Sequence, residues 1–128
     1  MGTGERGSRG AGPKLFFCLC PNANLYIGGQ LPRVETLMRQ DCSIVIGTDS
    51  LASNPQLSIL EELKTLQQYF PGLSTATLLQ WATFNGAQAL QLDSMVGSFA
   101  PGKQPGVLLI EGVEGGQFTR DTQVERLI

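Results

Sequence analysis

Apolar positions along the chain form short runs separated by longer, more widely spaced patterns. Residues 15–20 (LFFCLC) and 43–47 (SIVIG) are mainly apolar and bounded by turn residues, a pattern typical of buried parallel strands. A third run, residues 107–110 (VLLI), follows a stretch rich in proline and glycine. The pattern therefore predicts three strands, two of them in the amino-terminal half of the chain.

Helical spacing of apolar residues fills much of the interval between these strands. The predicted helices cover residues 32–39, 55–70 and 75–92. Gly86 is expected to interrupt the last of them, before a short helix over residues 87–92. Residues 21–24 (PNAN) are expected to form the loop that follows the first strand.

The longest predicted helix is expected to begin at Asn54 as its N-cap, with Pro55 at the first helical position. Its apolar stripe comprises Ile59, Leu63, Leu66 and Phe70. Glu61 and Glu62 lie elsewhere around the helix, so we expect both to be solvated charges. On the next helix, we expect Trp81 to pack in the core.

The order of elements, β-α-β-α-α-β, predicts an α/β fold with parallel strands and helical crossovers. Two parallel strands leave both edges unpaired, so we expect this chain to be part of a larger fold. The third strand need not join the same sheet, and residues 111–128 are expected to end in an extended piece. Residues 1–14 contain five glycines and are expected to be a disordered leader.

Composition removes several classes of function. The 128 residues carry a net charge of −2 and no basic cluster, so we expect no nucleic-acid partner and no anionic membrane partner. The apolar run 15–20 is too short to span a bilayer. We expect a cytoplasmic protein.

The three cysteines, Cys18, Cys20 and Cys42, are odd in number and spaced unlike a zinc motif. We therefore expect reduced cysteines buried in the core, with the side chains of Cys18 and Cys20 pointing apart.

Asp49 is the candidate for catalytic chemistry. It follows the second predicted strand, in the segment IVIGTDSLASN, and active sites of open α/β sheets and barrels lie at the carboxyl ends of strands. The alternative is that Asp49 is a turn or cap residue. The chain contains no histidine.

Asn24 and Ser50 are further candidates, for contact with a substrate. We expect Asn22 and Asn24 in the loop after the first strand, where an Asx turn is the alternative role. Ser50, together with Ser53, has helix capping as its alternative role.

Five segments, in this order, resemble the C-terminal part of the metal-dependent amidohydrolase superfamily, on its deaminase and chlorohydrolase branch. They are CPNANLYIGGQLP (20–32), IVIGTDSLASN (44–54), LSILEELKTLQ (57–67), ATFNGAQALQL (82–92) and VGSFAPGKQPGVLLI (96–110). The last departs from the family pattern, which usually has Ala-Asp after the lysine.

The resemblance implies a fold. The family has a (β/α)8 barrel beside a small β-sandwich, so residues 15–95 are expected to form the last two βα units of a barrel. Residues 96–128 are expected to supply the return strand and tail of the sandwich. Asp49 then matches the strand-eight aspartate, which in the family binds the catalytic metal and shuttles protons.

The resemblance also implies a function: hydrolysis of non-peptide C–N bonds in small amine or amidine substrates, by water activated on divalent zinc or iron. The family's histidine ligands would lie upstream of Leu15. We therefore expect a C-terminal fragment that holds no metal and is inactive alone. The alternatives are an interaction module that pairs or self-associates through exposed sheet edges, and a non-functional gene remnant.

Overall fold

The computed structural model describes residues 14–128, so the expected disordered leader lies outside the described residues except for Lys14. The strands are β1 (Phe16–Leu19), β2 (Ser43–Ile46), β3 (Leu108–Glu114) and β4 (Gln117–Arg126). The helices are α1 (Pro21–Gly28), α2 (Val34–Arg39), α3 (Ile59–Tyr69), α4 (Thr75–Ala82) and α5 (Phe84–Ala89).

Strands β1 and β2 form a parallel pair, as the sequence pattern predicts. Their register runs from Phe16 opposite Ser43 to Leu19 opposite Ile46. The Gly47 N–H donates to the Leu19 carbonyl at 2.9 Å, one residue beyond β2. Because the strands are parallel, the residues that follow both of them lie at one edge of the sheet.

Strands β3 and β4 form a separate antiparallel sheet. Gly115 and Gly116 connect them, both with positive φ (57° and 76°), as a type I′ turn requires. The register shifts between Glu111 and Val113, where Gly112 has a φ of 76° and lies opposite residues 119–122 of β4. The third predicted strand is thus the first half of a hairpin, outside the parallel sheet.

One apolar core joins the parallel strands to α2, α3 and α4. Its buried members are Leu19, Val34, Ile44, Leu63, Leu66, Leu73, Leu78 and Trp81. The core position of Trp81 is confirmed. The predicted stripe on α3 is wrong at Ile59, which is 37% exposed, whereas Leu60 is buried.

Several predicted boundaries differ from the structure. Residues 21–24 form the start of α1 rather than a loop, since Pro21 occupies the first turn and the Asn24 N–H donates to the Cys20 carbonyl at 2.9 Å. The interruption after α4 falls at Thr83 rather than Gly86, because Thr83 has the non-helical ψ of −82°. The short helix α5 therefore begins earlier than expected.

Helix α3 begins after Ser58 and not after Asn54. The Ser58 hydroxyl accepts a hydrogen bond from the Glu61 N–H at 3.3 Å, as an N-cap does. The prediction at Asn54 and Pro55 was wrong because the Asn54 side chain is used elsewhere.

Candidate active site at the carboxyl ends of the parallel strands

Asp49 lies at the edge of the sheet where β1 and β2 both end. Residues Gly47 and Thr48 separate it from β2, and its side chain is exposed. Its φ of 58° is left-handed, a conformation that Asp and Asn adopt more readily than most residues. The Thr48 hydroxyl donates to the Asp49 carbonyl at 3.1 Å. The exposed carboxylate is therefore accessible at the edge where such folds carry their chemistry.

Two thiols lie beside Gly47 at this edge. A Cβ placed on Gly47 would be 2.9 Å from Cys18 Sγ and 3.2 Å from Cys20 Sγ. The expectation that these side chains point apart was wrong, because residues two apart on a strand share a face. All three cysteines are free, but Cys18 is exposed and Cys20 and Cys42 are half-buried, so their expected place in the core was wrong.

The Cys20 thiol is a poor acid in this position. Burial raises the pKa of Cys20 from 9.0 to about 11, and the neighbouring Cys18 adds to the increase. The Asp49 carboxylate also raises the pKa, whereas a hydrogen bond from the Asp49 backbone lowers it. The Cys20 sulfur is therefore a neutral thiol beside the candidate catalytic residue at physiological pH.

A buried carboxylate, that of Glu62 on α3, connects the two segments that follow the strands. Glu62 is 0% exposed. Its Oε2 accepts from the Asn22 N–H at 2.9 Å, and its Oε1 accepts from Asn54 Nδ2 at 2.5 Å. Asn54 Nδ2 also donates to the Thr48 carbonyl at 3.0 Å, next to Asp49.

The expectation that Glu62 is a solvated charge was therefore wrong. Glu61 is half-buried and forms a 2.8 Å ion pair with Lys64. Glu62 was missed because its partners, a backbone N–H and an asparagine amide, come from distant positions that no local pattern shows. One available signal was its position on α3, four residues before the buried Leu66 and therefore on the same face of the helix.

The two candidates for substrate contact lie in different settings. Asn24 is half-buried within α1. Ser50 is exposed beside Asp49, and its hydroxyl accepts from the Ala52 N–H at 3.3 Å. Its carbonyl accepts from the Ser53 N–H at 3.1 Å, so Ser50 stabilises a turn rather than a helix start.

The residues that the structure describes do not form a complete metal site. Between residues 14 and 128, no group of three or more His, Cys, Asp or Glu side chains is arranged to hold a metal ion. Zinc sites typically use three or four protein ligands, whereas Asp49 supplies one hard oxygen donor.

A cleft of about 750 Å³ does lie between α3 and β4, but Asp49 does not line it.

None of the helices within residues 14–128 is long and apolar enough to cross a bilayer.

Comparisons with known proteins agree on one family. A sequence profile described as "Amidohydrolase family" matches residues 9–124. The 5-methylthioadenosine/S-adenosylhomocysteine deaminase of Saccharophagus degradans is 33% identical over 99 residues, covering 72% of this chain and 22% of its own length. The guanine deaminase of Escherichia coli is 32% identical over 101 residues, covering 77% of this chain and 23% of its own length.

Solved structures of the same kind share the fold. An adenosine deaminase from Xanthomonas campestris with bound zinc aligns with a TM-score of 0.66 and 31% identity, over 74% of this chain and 23% of that one. The E. coli guanine deaminase aligns with a TM-score of 0.64 and 28% identity, over 75% of this chain and 23% of that one. The chain thus spans under a quarter of the length of these relatives. Because the family profile covers most of its residues, the chain belongs to the amidohydrolase family.

Proposed function

We propose that this chain supplies the last part of the active site of an enzyme that hydrolyses C–N bonds in small amines or amidines. The observation that carries the proposal is the exposed Asp49 carboxylate at the carboxyl edge of the parallel pair. In this reaction water replaces an amino group at carbon, which leaves a carbonyl and releases ammonia.

Asp49 would act through its carboxylate oxygens. A bound divalent ion supplies hydroxide near neutral pH in enzymes of this kind. Asp49 would hold that ion with one oxygen, accept the proton of the attacking water with the other, and deliver it to the leaving nitrogen. The zinc in the Xanthomonas campestris relative supports zinc over iron. The remaining ligands would be imidazoles from outside this chain, which has no histidine.

The proposed arrangement assigns β1 and β2 to strands seven and eight of a (β/α)8 barrel. Residues 15–95 then form the last two βα units, and residues 96–128, with the hairpin β3–β4, belong to the adjoining sandwich. The separation of the two sheets supports this division. The three free thiols suit a reducing compartment, which supports a cytoplasmic location.

Substrate contact is proposed for Ser50 and, from α1, for Asn24. Ser50 adjoins Asp49 and is exposed. The names of the relatives, deaminases of adenosine, guanine and 5-methylthioadenosine, support a purine amine as the substrate class.

The test joins this chain to the part of the barrel that it does not contain. Residues 15–128, which contain both sheets, replace the matching segment of E. coli guanine deaminase, and bound zinc and guanine turnover are measured. We expect both in the chimera, and expect Asp49→Ala to remove turnover and most of the zinc. Asp93→Asn is the matched control, since Asp93 follows α5 and lies far along the chain from the β2 edge.

A folded Asp49→Ala chimera that retains zinc and turnover would contradict the proposal. We also expect the isolated chain to bind no stoichiometric zinc and to show no turnover, because one carboxylate does not make a zinc site. Stoichiometric zinc in the isolated chain would contradict this second expectation.

A second candidate function, an interaction module, is favoured by exposed apolar residues in β1 and immediately before it. Leu15 is 73% exposed and Phe17 is 41% exposed, and within residues 14–128 β1 has β2 as its single partner strand. A strand with one unpaired edge can add to another sheet through that edge.

A further inference from the structure

We propose that Glu62 is a positioning residue that fixes the Asp49 segment against the start of α1. This inference rests on the proposed function, because it assigns a role toward Asp49. Glu62 itself does not touch a reacting atom. It acts through Asn54, whose amide is bonded both to Glu62 and to the carbonyl of Thr48.

The bonding pattern requires a carboxylate at position 62. An ionised carboxylate only accepts hydrogen bonds, and each Glu62 oxygen faces a donor, the Asn22 N–H at 2.9 Å and Asn54 Nδ2 at 2.5 Å. Glutamine has the same shape but would turn an NH2 group toward one of these donors. The Glu62→Gln change therefore removes one hydrogen bond and places the new NH2 group against another donor. The volume of the side chain hardly changes.

The burial of Glu62 shows that this pattern is specific. A buried charge is costly unless it is paired or hydrogen-bonded. The ion pairs described among residues 14–128 do not include Glu62, and the nearest cation in sequence, Lys64, pairs with Glu61. Two hydrogen bonds, each to a segment that follows a different strand, are what compensates the charge.

The Asp49 segment depends on this link because it has little regular structure of its own. Residues 47–58 contain no helix or strand. Within them, Asn54 is 3% exposed, whereas Asp49 and Ser50 are exposed. The Asn54 amide thus connects a largely exposed segment to α3, and it does so through the carbonyl of Thr48, one residue from Asp49.

Hydrogen exchange of the chain itself tests the proposal. The reporters are the backbone amides of Asn22, which is bonded to Glu62, and of Ser53, which is bonded to the Ser50 carbonyl. We expect Glu62→Gln to speed exchange at both by about tenfold or more, since lost charge-assisted bonds open the segment locally. Leu78 in α4 is the distant reporter, and Glu61→Gln is the matched control.

If Glu62→Gln raised the exchange rate of the Leu78 amide as much as those of Asn22 and Ser53, the variant would have lost stability throughout. That result would overturn the proposal. Unchanged exchange at Ser53 would overturn it too. Asn54→Ala provides a second variant that leaves Glu62 in place. In the Asn54→Ala background, Glu62→Gln should still speed exchange at Asn22 but should no longer affect Ser53.

Activity separates this proposal from the proposed function. In the guanine deaminase chimera, we expect Glu62→Gln to lower kcat by about tenfold to a hundredfold with little change in KM, because small misplacements of a catalytic group are costly. If turnover does not depend on Asp49, the proposed function fails while the exchange result still stands. If turnover depends on Asp49 and Glu62→Gln leaves kcat unchanged, only the positioning role fails.

Discussion

At the scale of single residues, the Cys20 thiol makes a specific prediction about stability at alkaline pH. Burial, as the first cause, raises the pKa of Cys20 to about 11 in the folded chain. The folded state therefore holds this proton more tightly than the unfolded state does. Between pH 9 and 11 the unfolded chain loses its proton first, so the free energy of unfolding falls as the pH rises.

The full pKa shift would correspond to about 3 kcal/mol. Because Cys20 is only half-buried and partly screened by solvent, we expect a loss of about 1 kcal/mol, measured by urea unfolding at pH 8.5 and pH 11. Cys20→Ala should lack this component of the pH dependence, whereas Cys42→Ala should keep it. Equal pH dependence in all three proteins would contradict the assignment.

Asp49 and Glu62 show what single residues reveal in sequence. Asp49 could be proposed from the sequence because the argument for it depends on position alone, shortly after an apolar run. Glu62 could not, because its burial depends on donors 40 and 8 residues away along the chain. The local charge pattern and spacing around Glu62 fit an exposed, solvated glutamate as well as they fit a buried one.

At the scale of elements, Gln67 connects α3 to the hairpin. Its Oε1 accepts from the Phe118 N–H at 2.7 Å, and its Nε2 donates to the Thr75 hydroxyl at 3.0 Å. Gln67 is buried, so replacing it with an apolar residue removes hydrogen bonds from two half-buried partners.

We expect Gln67→Leu to lower the free energy of unfolding by about 1–3 kcal/mol and to speed hydrogen exchange at the Phe118 amide. The measurements are urea unfolding and exchange monitored by NMR. Gln68→Leu is the matched control, because Gln68 is the next residue on α3 and is exposed. A similar loss in both variants would mean that the hairpin is not attached through Gln67.

The elements themselves were predictable where apolar spacing is regular, and less so at their ends. Strands β1 and β2 match the predicted runs closely. Helix α1 was missed because the motif PNAN is typical of turns, although Pro21 is equally suited to a first helical turn. The start of α3 was misplaced because Asn54 is a good N-cap by type, whereas its amide bonds to Glu62.

At the scale of the whole molecule, exposed apolar residues on the parallel pair predict self-association. We expect the chain to associate at micromolar concentrations and Phe17→Lys to shift it toward monomer, because a charge on an edge strand opposes strand addition. Size-exclusion chromatography with light scattering is the measurement. Tyr69→Lys, exposed on α3, is the control and should change little.

The form of the associated species distinguishes the two candidate functions. A single, monodisperse dimer would favour the interaction module, and a broad range of larger species would favour an incomplete barrel. A chain that stays monomeric at these concentrations would contradict the prediction. The family itself was recognisable from sequence because five segments keep their order, whereas the pairing of the tail as a hairpin depended on the turn at Gly115 and Gly116.

The left-handed backbone of Asp49 has a consequence for inheritance. Asparagine adopts this conformation as readily as aspartate, so folding places little restraint on exchanging one for the other. A single-nucleotide change from an aspartate to an asparagine codon would then yield a protein that folds and escapes cellular quality control, yet lacks the carboxylate. Selection for the amount of folded protein would not act against this change. Only selection for the proposed reaction would retain aspartate at position 49.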